Sequence, residues 1–152
     1  DLRLDTSTMN VHQLKARITD HVRGEARPTV VNLVSFGFRY GPPMAAELLF
    51  DMRFLPNPYF EPTLREHTGV ERSVSDYILE SEGGQSMLDR LTGFIGYVLP
   101  EYDREGKAYV TVGIGCTGGR HRSVAVAEFL AKWLRDGERE VNLVHRDLER
   151  VS

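Results

Sequence analysis

GCTGGRHRS occupies residues 115–123, between YVTVGI (109–114) and VAVAEFLAKWL (124–134). The run before it alternates β-branched residues as a strand does, and the run after it repeats its apolar residues at helical spacing. Glycines sit at the change of period, so the stretch predicts a strand, a tight turn and a helix. Similar units flank it. TVVNLVSF (29–36) predicts a strand buried on both faces. AELLFDMRF (46–54), KAYVTVGIG (107–115) and REVNLVHRD (139–147) predict three more strands. Ser73 is expected to cap a short helix running through Ile78 and Leu79. Ser86 to Val98 carries Met87, Leu88, Leu91, Phe94, Ile95 and Val98 on one face. Ser123 to Leu134 predicts a further helix, stopped at Gly137. The prolines of LPNPYFEPTLREHTG (55–69) forbid a long helix there. Strands alternating with helices imply an α/β fold, layered, with a mostly parallel sheet flanked by helices. Ahead of it, Asn10 is expected to cap a helix bearing Val11, Leu14, Ile18 and Val22, and RGEARP (23–28) reads as a linker.

Composition narrows the function classes. The chain has 152 residues, 41% of them apolar, which is enough for a packed core. No run of 18 apolar residues suggests a membrane span. One cysteine cannot form an internal disulfide, which agrees with a reducing cytoplasm. A net charge of −3 argues against gripping nucleic acid by overall charge.

Open α/β sheets bind ligands beyond the carboxyl ends of their strands. That edge collects Ser35, Phe36, Gly37, Phe38, Arg39 and Tyr40 after the first strand, and Asp51, Arg53, Asn57 and Tyr59 after the second. The third brings the 115–123 loop, and the fourth His145, Arg146 and Asp147. In the loop, helix-start amides, the hydroxyls of Thr117 and Ser123, and the forks of Arg120 and Arg122 converge as a phosphate requires. The P-loop lysine is missing. Gly113, Gly115 and Gly118 fit GxGxxG spacing, but the helix start falls too late for it. Cys116 and Arg122 also match C-x5-R-[ST], which resembles the cysteine phosphatases, where a thiolate attacks phosphorus. Position 115 is Gly where the tyrosine phosphatases carry His, and Asp51 is the one arguable general acid. HRD at 145–147 reads as a strand end with surface charge, and the five histidines lack zinc spacing. An RNA backbone could be tracked by Arg120, Arg122, Lys132, Arg135, Arg139, Arg146 and Arg150 if they shared one face.

SFGFRYGPP, FDMRFLPNPYFEPTLREHTG and GIGCTGGRHRSVAVAEFLA together resemble successive blocks of the RapZ/YvcJ family of bacterial nucleotide-binding proteins, over about 29–150. DTSTMNVHQLKARI resembles the end of that family's P-loop kinase-like domain. The resemblance therefore implies a remnant of that domain plus linker over 1–27, and a ligand-sensing domain over 28–152. It further implies a fold similar to a phosphofructokinase subdomain, a cytoplasmic location and homo-oligomers. The expected ligand is glucosamine-6-phosphate, or a UDP-sugar such as UDP-N-acetylglucosamine. Small RNA and an endoribonuclease are expected partners in enterobacterial members. ATP or GTP belongs to the N-terminal domain, where weak hydrolysis is expected; this domain takes no cofactor. Sensing residues carry over onto Asp51, Arg53, Asn57, Cys116, Thr117, Gly118, Gly119, His121 and Arg122. Two features depart from the enterobacterial pattern: NPHW is NPYF at 57–60, and no lysine-rich tail precedes Ser152. Both weigh against RNA delivery and leave metabolite binding intact.

The resulting expectation is a regulatory binding domain without catalytic or metal-ligating residues. Cys116, Thr117, Gly118, Gly119, Arg120, His121, Arg122 and Ser123 would hold phosphate. Asp51 would accept from a sugar hydroxyl or ammonium, with Arg53 and Asn57 fixing orientation. Phe36, Tyr40 and Tyr59 would stack on a ring, beside Ser35 and Gly37.

Overall fold

A computed structural model describes residues 27–150. The helix and most of the linker expected before residue 27 lie outside the described residues. Four strands, β1 (Val30–Gly37), β2 (Leu48–Asp51), β3 (Tyr109–Cys116) and β4 (Val141–His145), form one sheet in the order β2-β3-β1-β4. Every pairing is parallel. Three helices accompany them: α1 (Arg72–Leu79), α2 (Glu82–Glu105) and α3 (Arg122–Asp136). The expected α/β fold is present, with an all-parallel sheet.

The strand period places the core. Val31 and Leu33 of β1 share a face with Val110, Val112 and Ile114 of β3, and all are buried. Val124 to Leu134 of α3 packs on that face, with Leu91, Ile95 and Leu99 of α2 and Val74 and Ile78 of α1 completing the cluster. The other face of β1 differs from expectation. Asn32 and Val34 are only half-buried, and Val144 beside them on β4 is exposed. Val34 fits the β-branched run but lies on a face that none of the described helices covers, so composition alone overstated its burial.

Local chemistry moves several boundaries. Ser73 does not cap α1; the cap position is Glu71, whose carboxylate accepts from the Thr68 amide instead. Helix α2 starts four residues earlier than its apolar face suggests, because Ser81 Oγ accepts from the Gly84 amide at 3.0 Å. It also runs on past Pro100 to Glu105, where Gly106 caps it, and Leu99 still faces the core. β2 is shorter than the apolar run, and β4 closes at His145. The 55–69 stretch is irregular as expected. It holds one 3-10 turn at Pro58–Phe60, where Asn57 Oδ1 accepts from the Tyr59 amide.

The chain is anchored where β1 begins. Asp103 accepts two hydrogen bonds from Arg139, at 2.8 and 2.6 Å, and one from the Thr29 amide at 2.8 Å. The Arg139 guanidinium holds this carboxyl down at about 2, against the opposing pull of partial burial. The depressed value makes the anchor a contribution that is complete above the ordinary carboxylate pKa and lost as pH falls toward 2. Stability should therefore drop by about 2 kcal/mol between roughly pH 4 and pH 2 through this group. Urea midpoints measured across that range should show the step, and Arg139→Ala should remove it.

Candidate functional site

Register brings the strand ends together. Gly37 of β1 pairs with Cys116 of β3, Asp51 of β2 with Gly115, and Ser35 with His145 of β4. The chain leaving β3 then crosses directly over the end of β1. Two glycines allow the crossing. A Cβ on Gly37 would sit 2.5 Å from the Gly118 carbonyl carbon, and one on Gly119 would sit 2.6 Å from the Gly37 nitrogen. Gly119 also has φ +79°, where side chains are strained. Gly119→Ala is therefore expected to cost at least about 2 kcal/mol and to weaken anion binding, read by denaturant unfolding and by titration with phosphate.

The loop's polar groups divide in a consistent way. Three of its carbonyls are tied back: Thr117 O accepts from the Arg39 amide, Arg120 O from Gly69 and His121 O from Ala125. Its amides are not. The N–H groups of Thr117, Gly118, Gly119, Arg120 and His121 donate to no acceptor among the described residues, and no side chain caps α3. Together with the first turn of α3, they form a run of free donors at the positive end of a 15-residue helix. Cys116 Sγ is buried beneath them and donates to Ser123 Oγ at 3.1 Å.

Arg122 has a structural task that its place in the motif did not reveal. It is 5% exposed and bridges to the chain after β2. Nη1 donates to Arg53 O and Leu55 O, and Nη2 to Thr117 Oγ1. Its Nε is buried without a partner among the described residues. His121 Nε2 donates to Arg65 O at 3.1 Å, and burial pushes its pKa below the ordinary histidine value, favouring the neutral ring.

These groups open into a cavity of about 580 Å³. Cys116, Thr117, Gly118, Arg120, His121 and Arg122 contribute from the loop, and Arg39 and Tyr40 from the segment after β1. Asn57, Tyr59, Arg65 and Glu66 come from the segment after β2, and Arg150 from beyond β4. Five arginines face one glutamate. Arg65 stacks on Tyr59 at 4.8 Å and Arg150 on Tyr40 at 4.5 Å.

The sequence-predicted residues divide accordingly. Tyr40, Asn57, Tyr59, Cys116, Thr117, Gly118, Arg120, His121 and Arg122 line the cavity; Gly119 and Ser123 support the loop from behind. Ser35 and Gly37 are buried and occupied: Ser35 Oγ lies 2.7 Å from His145 Nδ1, and the Gly37 amide donates to Asp147. Phe36 cannot stack on a ligand, because it is wholly buried, edge-to-face with Phe38 at 4.9 Å. Asp51 and Arg53 lie outside the cavity lining and pair with each other; the Arg53 hydrogen bonds hold the Asp51 carboxyl below its ordinary pKa. Asp147, expected at the surface, is fully buried and accepts from the Gly37 amide, Arg146 and Arg150. The basic set does not form one free face, since Lys132, Arg139 and Arg146 have carboxylate partners. Arg65 and Glu66 were not foreseen, because nothing in the proline-rich loop marks which residues turn inward. Among the described residues no cluster of His, Cys, Asp and Glu could hold a metal ion, and no helix is long and apolar enough to cross a membrane.

Comparison with known proteins gives this geometry a family. Residues 29–149 match the RapZ C-terminal domain. A nucleotide-binding protein of Thermobifida fusca (strain YX) is 51% identical over 152 residues, covering 99% of this chain and 51% of that protein. One from Anaeromyxobacter sp. (strain K) is 49% identical over 148 residues, covering 97% of this chain and 50% of its own length. One from Corynebacterium jeikeium (strain K411) is 47% identical over 151 residues, with 99% and 52% covered. The chain thus spans about half the length of these relatives. The chain belongs to the RapZ family of nucleotide-binding proteins, as its C-terminal domain.

Proposed function

We propose that this domain is a regulatory receptor for a phosphorylated amino sugar or a UDP-sugar, and that it binds its ligand without transforming it. The observation that carries the reading is the row of amides from Thr117 to His121 at the start of α3, free of acceptors among the described residues. An oxyanion placed there would satisfy several orphan donors at once and meet the helix dipole. The buried, unpartnered Nε of Arg122 at the same cavity adds a charged donor. Asn57 and Tyr59 supply polar and aromatic contacts for the sugar. In the longer protein, binding would bias the position of the preceding nucleotide-binding part, which requires different affinities for two arrangements. Homo-oligomer formation, and any contact with small RNA, would belong to that larger assembly.

Calorimetry with glucosamine-6-phosphate and UDP-N-acetylglucosamine tests the reading. Saturable binding of either supports it; no binding of both rejects it. Turnover is a second reading, favoured by the Cys116 thiol lying against Ser123 Oγ inside the C-x5-R loop. Phosphate release from a phosphomonoester that disappears in Cys116→Ser would replace the receptor with an enzyme.

A further inference from the structure

The cavity carries more positive charge than one phosphate monoester would use, and we infer that its ligand class is a diphosphate: two linked phosphate groups, one on the Thr117–His121 amides and the second among the arginines of the rim. The inference rests on the receptor reading and deepens it.

The two sets of donors come from different parts of the chain. The loop amides and Arg122 Nε form the inner set. Arg39, Arg65, Arg120 and Arg150 form the outer set, from the segment after β1, the loop after β2, the turn into α3 and the chain beyond β4. Arg39 is exposed and has neither a hydrogen bond from its guanidinium nor an ion pair among the described residues. Arg65 commits Nε to Tyr59 O, and Arg120 commits Nη1 to Leu148 O. Each therefore keeps other donors free. Among the described residues, only Arg150 of the four has a carboxylate partner, Asp147, which it contacts through Nε. The side chains of Arg65 and Arg150 are steadied by the Tyr59 and Tyr40 rings, which limits the entropy lost when their forks close on an anion. Four arginines within one cavity repel one another unless an anion of matching charge joins them. Glu66 supplies a single negative charge. A monoester seated on the loop would neutralise the inner set and leave the outer one answered only by Glu66 and by Asp147 on Arg150. A diphosphate spans both, and a cavity of about 580 Å³ lies within the size range of sites for ligands larger than a simple anion. Glucosamine-6-phosphate and a UDP-sugar differ in this feature, so the charge layout selects the nucleotide-sugar side.

The test is calorimetric titration of the 152-residue chain with inorganic phosphate, pyrophosphate and citrate at one pH and ionic strength. Pyrophosphate is expected to bind at least about tenfold more tightly than phosphate, and citrate, highly charged but without tetrahedral phosphorus, more weakly than pyrophosphate. Arg39→Ala, at an exposed position that should not disturb folding, is expected to shrink the pyrophosphate-to-phosphate ratio several-fold; Arg65→Ala is the second such variant. Phosphate binding with no pyrophosphate advantage, or citrate equal to pyrophosphate, overturns the diphosphate class while leaving the receptor reading intact. A ratio unchanged in both arginine variants also overturns it. Binding of neither phosphate nor pyrophosphate overturns both.

Discussion

Asp147→Ala is expected to lower the stability of the fold by about 2–3 kcal/mol, the upper part of the range for leaving a buried donor without its acceptor. The carboxylate is fully buried. It accepts from the Gly37 amide at 2.7 Å, from Arg146 Nη2 at 2.8 Å and from Arg150 Nε at 2.8 Å. Alanine would strand the buried amide at the end of β1, while the part-exposed Arg146 and Arg150 turn to water. Asp147→Asn keeps the shape and one acceptor oxygen, so it should cost less than alanine. Burial alone would push this carboxyl up, but Arg146 and the Gly37 amide outweigh it and hold the pKa below the ordinary value. Its contribution is therefore present above the usual carboxylate range and fades as pH falls through the depressed folded value. Denaturant midpoints for both variants at neutral pH decide the matter; a loss under about 1 kcal/mol for alanine would mean that water replaces the carboxylate with little penalty.

The second large effect is at Arg122. Arg122→Ala leaves Arg53 O, Leu55 O and Thr117 Oγ1 without their guanidinium donor and detaches the segment after β2 from the loop. A loss of about 2–4 kcal/mol is expected, offset in part because a buried charge disappears. Anion binding should fall as well. Arg122→Lys keeps the charge but cannot span three acceptors from a single ammonium, so it should recover less than half of the lost stability. Equal stability of the lysine variant and the original chain in urea unfolding would contradict the clamp.

Much of this architecture was readable from hydrophobic period. The change of period around Gly115 to Gly119 located both the β3–α3 unit and the loop, because one contiguous segment carries turn, donors and helix start. What period could not show was how separate segments meet. Phe36 sits on the strand face opposite Val31 and Leu33, and only the folded chain shows that face closed by Phe38 near Gly115. Asp51 and Arg53 looked like ligand contacts, yet two residues apart on a strand end they satisfy each other first. Arg65 and Glu66 reach the cavity because the Gly69 amide ties their loop to Arg120 O, a contact between distant segments that no local pattern records. Asp147 looked like surface charge, but the glycine end of β1 needs an acceptor, and the chain beyond β4 brings this one to it.

An amide-resolved NMR titration of the chain with inorganic phosphate tests the central claim most directly. The account predicts saturable shifts concentrated at the Thr117, Gly118, Gly119, Arg120, His121 and Arg122 amides, which lack acceptors among the described residues. If those resonances stay fixed while phosphate saturates a different surface, or if nothing moves at all, the β3–α3 loop is not an anion site.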